Sequence, residues 1–72
     1  MKSQTEIYQI NHQIENYQYQ IKQIQIDVDN YEQRKRTDAQ NANIYDREIT
    51  SRRDQINQIQ RSIDELVRQL ST

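Results

Sequence analysis

The 72-residue chain contains no glycine, no proline, no cysteine, no tryptophan and no phenylalanine. Each absence removes something. Without Gly or Pro the usual turn and breaker signals are missing, so folds that need several tight turns, such as sandwiches and ββα units, are hard to build. Without Gly, phosphate-cradling loops of the Walker or dinucleotide type are excluded. Without Cys there is no disulfide, no thiolate metal ligand and no thiol nucleophile, and the redox compartment stays open. Neither sign of charge dominates: the net charge is −1, with five basic and five acidic groups in residues 1–36 and five and six in residues 37–72. A protein that works on phosphate backbones or anionic lipid is expected to carry a basic excess or stripe, and this chain has none. No apolar run approaches the ~18 residues of a membrane span, and the polar N-terminus lacks the apolar core of a signal peptide. The expectation is a soluble protein, mature as written, with the cytoplasm as its default compartment.

What the chain does contain is long-helix material: 13 Gln, 6 Asn, 11 Ile and 5 Tyr, with only 32% of residues hydrophobic. The apolar residues are few but ordered. From Ile7 they fall at Ile10, Ile14, Tyr17, Ile21, Ile24, Val28 and Tyr31, with spacings that alternate three and four. The same frame carried forward reaches Ala42, Tyr45, Ile49, Ile56, Ile59, Ile63, Leu66 and Leu70, so 16 of the 20 frame positions from Ser3 to Leu70 are apolar. The exceptions are Ser3, Lys35, Asp38 and Arg52. A strand would need a period of two, whereas this period of 3.5 is the heptad seam of helices supercoiled around one another.

The seam also explains a repeated phrase. QIKQIQIDVD at Gln20–Asp29 returns 35 residues later as QINQIQRSID at Gln55–Asp64, and 35 residues is five heptads. Ile21 and Ile56, Ile24 and Ile59, and Val28 and Ile63 therefore hold equivalent seam positions. A shorter copy, Ile7-Tyr8-Gln9-Ile10, sits in the same phase. Gln/Asn-rich tracts can instead be disordered or prone to β-aggregation. Composition bias alone would scatter isoleucine, and here nine of eleven lie on the seam, leaving only Ile26 and Ile44 off it.

The centre of the chain sets the topology. The polar run from Glu32 to Asn43 interrupts the apolar seam with Lys35 and Asp38. Asp38, Asn41 and Asn43 suit turn or capping conformations. The expected domain is a single coiled coil over residues 1–72, with helices at about 4–34 and 44–70 and a polar central segment at 32–43. Folding the seam back about its midpoint pairs Tyr31 with Ala42, Val28 with Tyr45, Tyr17 with Ile56 and Lys35 with Asp38, large against small and plus against minus. A parallel assembly would stack like charges at Lys35, Asp38 and Arg52. Antiparallel pairing is therefore expected, in a helical hairpin or, alternatively, in a dimer of continuous helices. The missing Gly or Pro and the unbroken heptad phase speak against the hairpin, and the central, Asn- and Asp-rich gap speaks for it. The hairpin is preferred.

A two-helix hairpin of this length buries too little apolar surface to be stable with a margin. Isoleucine at both core positions favours assemblies beyond two helices in parallel systems. The flanking positions are mostly Gln, Asn and other uncharged groups. Self-association, or docking on another helical protein, is the physical expectation.

Reaction chemistry is not indicated. His12 is the only histidine and cannot by itself build a catalytic dyad or a zinc site. Asp27/Asp29 and Asp64/Glu65 are spaced to diverge on a helix. No enzyme activity, cofactor or metal is expected. Two further sets of residues are candidates for contact. Arg34, Lys35 and Arg36, with Arg52 and Arg53, form the one basic cluster and could touch a nucleic-acid backbone, although Glu32, Asp38 and Asp54 are neighbours. Tyr8, Tyr19 and Ile26 are apolar residues off the seam, the last two in line with His12 at the outermost heptad position, and they suit a second protein-contact face. The leading functional expectation is a non-enzymatic assembly or adaptor protein acting through helix-to-helix contact. The alternative is a small helical nucleic-acid-binding protein.

Overall fold

The computed structural model describes residues 2–72, which form an all-α hairpin. Helix α1 spans Gln4–Thr37, a single 3-10 turn spans Ala39–Asn41, and helix α2 spans Ala42–Ser71 and packs back along α1. The molecule is a rod of 56 × 14 × 11 Å. Its radius of gyration is 16.6 Å, against about 11 Å for a compact domain of this length. No described helix is long and apolar enough to cross a membrane.

Local chemistry sets the limits of both helices. Ser3 caps α1: its Oγ accepts from the Glu6 backbone N–H and donates to Glu6 Oε1, both at 3.2 Å, a variant of the capping box. Glu6 lies in the first turn, and Arg34, Lys35 and Arg36 lie in the last, where each complements the helix dipole. The helix stops where the Thr37 hydroxyl bonds back to the Arg34 and Gln33 carbonyls and Asp38 takes φ −135°, ψ 67°. The Asp38 N–H still reaches the Arg34 carbonyl at 2.8 Å, and the Asn41 N–H reaches the Asp38 carbonyl at 3.1 Å. No described residue has positive φ. One extended residue and one 3-10 turn reverse the chain, so the bend has no need of glycine.

The polar segment 32–43 is thus mostly helical, and only Asp38–Asn41 leave α geometry. The reversal is centred near residue 40, past the midpoint of the chain. Cross-helix contacts fix the register: Glu32 pairs with Arg53, Lys35 with Asp46, and Arg52 lies over the Tyr31 ring. This pairing corrects the midpoint fold by one heptad. Tyr31 packs against Tyr45 and Arg52, further along α2 than the Ala42 of the midpoint fold, and Asp38 bonds Asn41 and Tyr45 rather than Lys35. The physical reason is that α1 keeps its helical hydrogen bonds to Thr37 before the turn begins. A shift of seven residues keeps every seam position against another seam position, so the apolar period survives it.

Candidate helix-docking surface

Burial follows the seam. Val28 is fully buried, and Ile49 and Ile63 nearly so; Ile10, Ile14, Tyr17, Ile21, Ile24, Tyr31, Ala42, Tyr45, Ile56, Ile59, Leu66 and Leu70 are half-buried. Ile7 departs from the expectation. It lies in the first turns of α1, near the open end of the hairpin, and is exposed. Two packed helices cannot enclose the stripe that joins them, and most of its side chains keep one edge in water.

The four polar exceptions on the seam each have a local partner. Ser3 caps α1, as described. Lys35 Nζ lies 2.6 Å from Asp46 Oδ1 across the helices. Asp38 Oδ2 accepts from Asn41 Nδ2 at 2.8 Å and from the Tyr45 hydroxyl at 2.9 Å. These two bonds, with Asn41 the stronger influence, hold the Asp38 carboxyl below its usual range, and the Asp38 bond pushes the Tyr45 phenol up. Arg52 keeps its stem along the seam while its Nη1 bonds Glu48 Oε2 at 2.7 Å and its guanidinium carbon lies 5.4 Å from the Tyr31 ring centroid. Tyr31 also packs on Tyr45, ring centroids 6.3 Å apart and tilted by 38°.

These contacts are unevenly distributed. Every side-chain hydrogen bond or ion pair that joins α1 or the bend to α2 across the hairpin among the described residues lies within residues 32–53: Glu32 with Arg53, Lys35 with Asp46, and, from the bend, Asp38 with Tyr45. The half of the rod away from the bend has none. There the flanking amides of Gln25 and Gln60 bond only to Asp29 and Asp64 of their own helices, both at 3.2 Å. The distal half is joined by apolar side chains alone, half-buried except for the nearly buried Ile63.

The basic cluster is largely neutralised in place. Of its five members, Lys35, Arg52 and Arg53 are held in ion pairs with Asp46, Glu48 and Glu32. Arg34 and Arg36 remain exposed on the bend-side end of α1, where they share a shallow groove with Asn30, Gln33 and Thr37. The five cations do not form one open patch. The outer set is exposed: Tyr8 by 70%, Tyr19 by 65% and Ile26 by 48%, with Tyr8 stacked on His12 at a centroid distance of 6.1 Å. Helix α2 adds Ile44 and Val67, exposed by 56% and 47%.

Sequence reasoning missed Val67 and the cross-helix pairs. Val67 follows seam residue Leu66 and occupies a flanking position next to the seam, a placement legible from the heptad frame. The signal for the pairs was also present. In the observed register Glu32 faces Arg53 along one flank, whereas the midpoint fold would set Glu32 against Asp46, a like-charge contact. No protein-family model, curated protein or solved structure matches the chain.

Proposed function

We propose that this chain is a non-enzymatic assembly protein, a coiled coil whose activity is helix-to-helix contact through the seam Ile10–Leu70. It joins copies of itself or docks another helical protein along the same stripe. One observation carries this reading: after the hairpin has closed, Val28, Ile49 and Ile63 are the only seam side chains among the described residues that are buried. Apolar surface in partial contact with water favours further burial, at roughly 25 cal/mol per Å² removed. A third or fourth helix laid along the groove supplies that burial, and the mostly uncharged flanks beside the distal seam lower the desolvation cost of approach.

Sedimentation velocity and thermal melts followed by circular dichroism, on the full chain from micromolar to millimolar concentration, test the proposal. The expected result is a helical chain whose mass exceeds one copy and whose melting midpoint rises with concentration. A helical monomer with a concentration-independent midpoint would overturn it.

A further inference from the structure

From the distribution of charge along the rod, we infer that the occupant of the open seam is a second copy of this chain. It docks antiparallel on the distal half of the flank that carries Gln18, Gln25, Gln60 and Val67, and the two bends point away from each other. This inference rests on the assembly reading above and adds the partner, the face and the geometry.

The area is of the right size. The accessible surface is 5794 Å², while a compact folded monomer of this mass exposes about 4,800 Å². The excess of about 1,000 Å² is close to the ~800 Å² that each partner contributes to a stable interface. A two-fold dimer of this rod therefore returns it to an ordinary exposure.

The flank selects where the copy sits. Near the bend this side of the seam is closed by Glu32–Arg53 at 2.7 Å and Lys35–Asp46 at 2.6 Å, and a helix laid there would have to bury four charged groups. Beyond them no ion pair crosses between the helices, and the nearest charges, Asp29 and Asp64, are held by Gln25 and Gln60 of their own helices at 3.2 Å. On this flank Gln18, Gln25 and Gln60 are exposed, and Val67, an apolar side chain beside Leu66, is 47% exposed. Amides can pair across a two-fold axis without net charge, and Val67 widens the apolar stripe at that level. The opposite flank has similar glutamines, but its distal groove, lined by Gln13, Tyr17, Ser62 and Leu66, also carries Arg61 and Glu65.

Orientation follows from the same pattern. If the bends lay at one end, full-length overlap would press the charged halves together. Full antiparallel overlap would lay each distal half on a charged half. Only a staggered antiparallel pair, with its two-fold axis near Val67, sets the two flank segments that lack cross-helix ion pairs against each other over about 30 Å of helix.

The chain has no cysteine, so a single Gln40→Cys at the exposed bend takes one spin label per copy. Pulsed electron-electron resonance on the labelled full chain should give a bend-to-bend distance of roughly 65 Å, from the helical rise between residues 18 and 40 taken twice. A dimer with bends about 54 Å apart, the value for full antiparallel overlap, or closer than about 25 Å, overturns the inference while leaving the assembly reading intact. A helical monomer removes both. Charge scanning identifies the flank: Gln18→Lys with Val67→Lys should weaken dimerisation at least tenfold, while Gln20→Lys with Gln55→Lys on the opposite flank should change it less than threefold. All four positions are exposed in the hairpin, so the helical signal should be retained. The reverse ranking would overturn the flank assignment.

Discussion

The Tyr45 hydroxyl donates to Asp38 Oδ2 across 2.9 Å, tying the residue that leaves α1 to the first turn of α2. Asn41 adds a second donor to the same carboxylate oxygen. The Asn41 bond and then the Tyr45 bond hold the Asp38 pKa below its usual range, the Asp38 bond raises that of Tyr45, and the two shifts act at opposite ends of the pH scale. A depressed carboxyl contributes stability that is complete above its unfolded value near 4 and is lost as pH falls through the folded value. A raised phenol contributes stability that is complete below about 10 and is lost as pH rises through the folded value. The melting midpoint should therefore form a plateau between about pH 5 and 9 and fall at both edges. Comparing wild type with Tyr45→Phe isolates the pair: the difference in midpoint should be constant across the plateau and shrink on both sides. A difference that does not vary with pH would mean the bond is not made in solution.

The register makes a prediction of its own. Glu32 and Arg53 are 21 residues apart in sequence and 2.7 Å apart in space, which places them on the same flank of the hairpin. Arg53→Glu should destabilise, Glu32→Arg should destabilise, and the double exchange should recover most of the loss. For a partly exposed pair the coupling is expected at about 0.2–1 kcal/mol. Urea melts of the four proteins measure it. Coupling of zero, together with coupling between Glu32 and Asp46 on reversal of Asp46, would restore the midpoint register.

How much of this was legible follows from what a seven-residue period can specify. The seam positions and the helical class follow from the spacing of Ile7 through Leu70, because only a helix brings residues three and four apart onto one stripe. The spacing could not fix which heptad faces which, since a slip of one heptad moves Tyr31 further along α2 than Ala42 and leaves the stripe intact. Flanking charge breaks that degeneracy, and Glu32, Asp46 and Arg53 carry it. The bend was obscured for a different reason. Glycine and proline are the strong signals, and here Asp38 and Asn41 reverse the chain with negative φ and a side-chain hydrogen bond. The proposed docking surface was visible only as a stripe; that cross-helix ion pairs lie along its bend-side half and not along its distal half depends on the register.

Seam and surface isoleucines should separate in a stability scan. Ile49 and Ile63 are nearly buried, so Ile49→Ala and Ile63→Ala should each cost about 2 kcal/mol or more. Ile44 is 56% exposed, and Ile44→Ala should stay within about 0.5 kcal/mol of wild type. Chemical denaturation at one fixed protein concentration measures all three. Equal losses at the three sites would show that the stripe is not what the hairpin buries.

The outer face of α1 should be dispensable for both folding and self-association. Tyr8, Tyr19 and Ile26 are exposed and off the seam, and the ion pairs that bound the proposed docking flank involve none of them. Tyr8→Gln, Tyr19→Gln and Ile26→Gln combined should leave the helical signal unchanged and the sedimenting mass within error of wild type. A fall to the mass of one chain would move the interface onto this face.

Arg52 sets the most specific expectation, because it is the one cation on the apolar seam of α2 and lies over the Tyr31 ring of α1. Its guanidinium gains about 0.5–1 kcal/mol over Tyr31 and about 0.3–0.5 kcal/mol from Glu48 at the preceding turn. A half-buried leucine in its place recovers a comparable amount, on the order of 1 kcal/mol. Arg52→Leu should therefore change the stability of the isolated hairpin by less than about 1 kcal/mol. Its effect on association should be larger. Leucine would carry the open apolar stripe from Ile56 through to Ile49, past the point where the charged half begins, and a second copy could then overlap further along the rod. Dimerisation should tighten at least tenfold, and the bend-to-bend distance should shorten from roughly 65 Å towards the full-overlap value of about 54 Å. Unchanged association would mean that Arg52 serves the bend alone and that the boundary of the docking surface is set by Glu32–Arg53 and Lys35–Asp46.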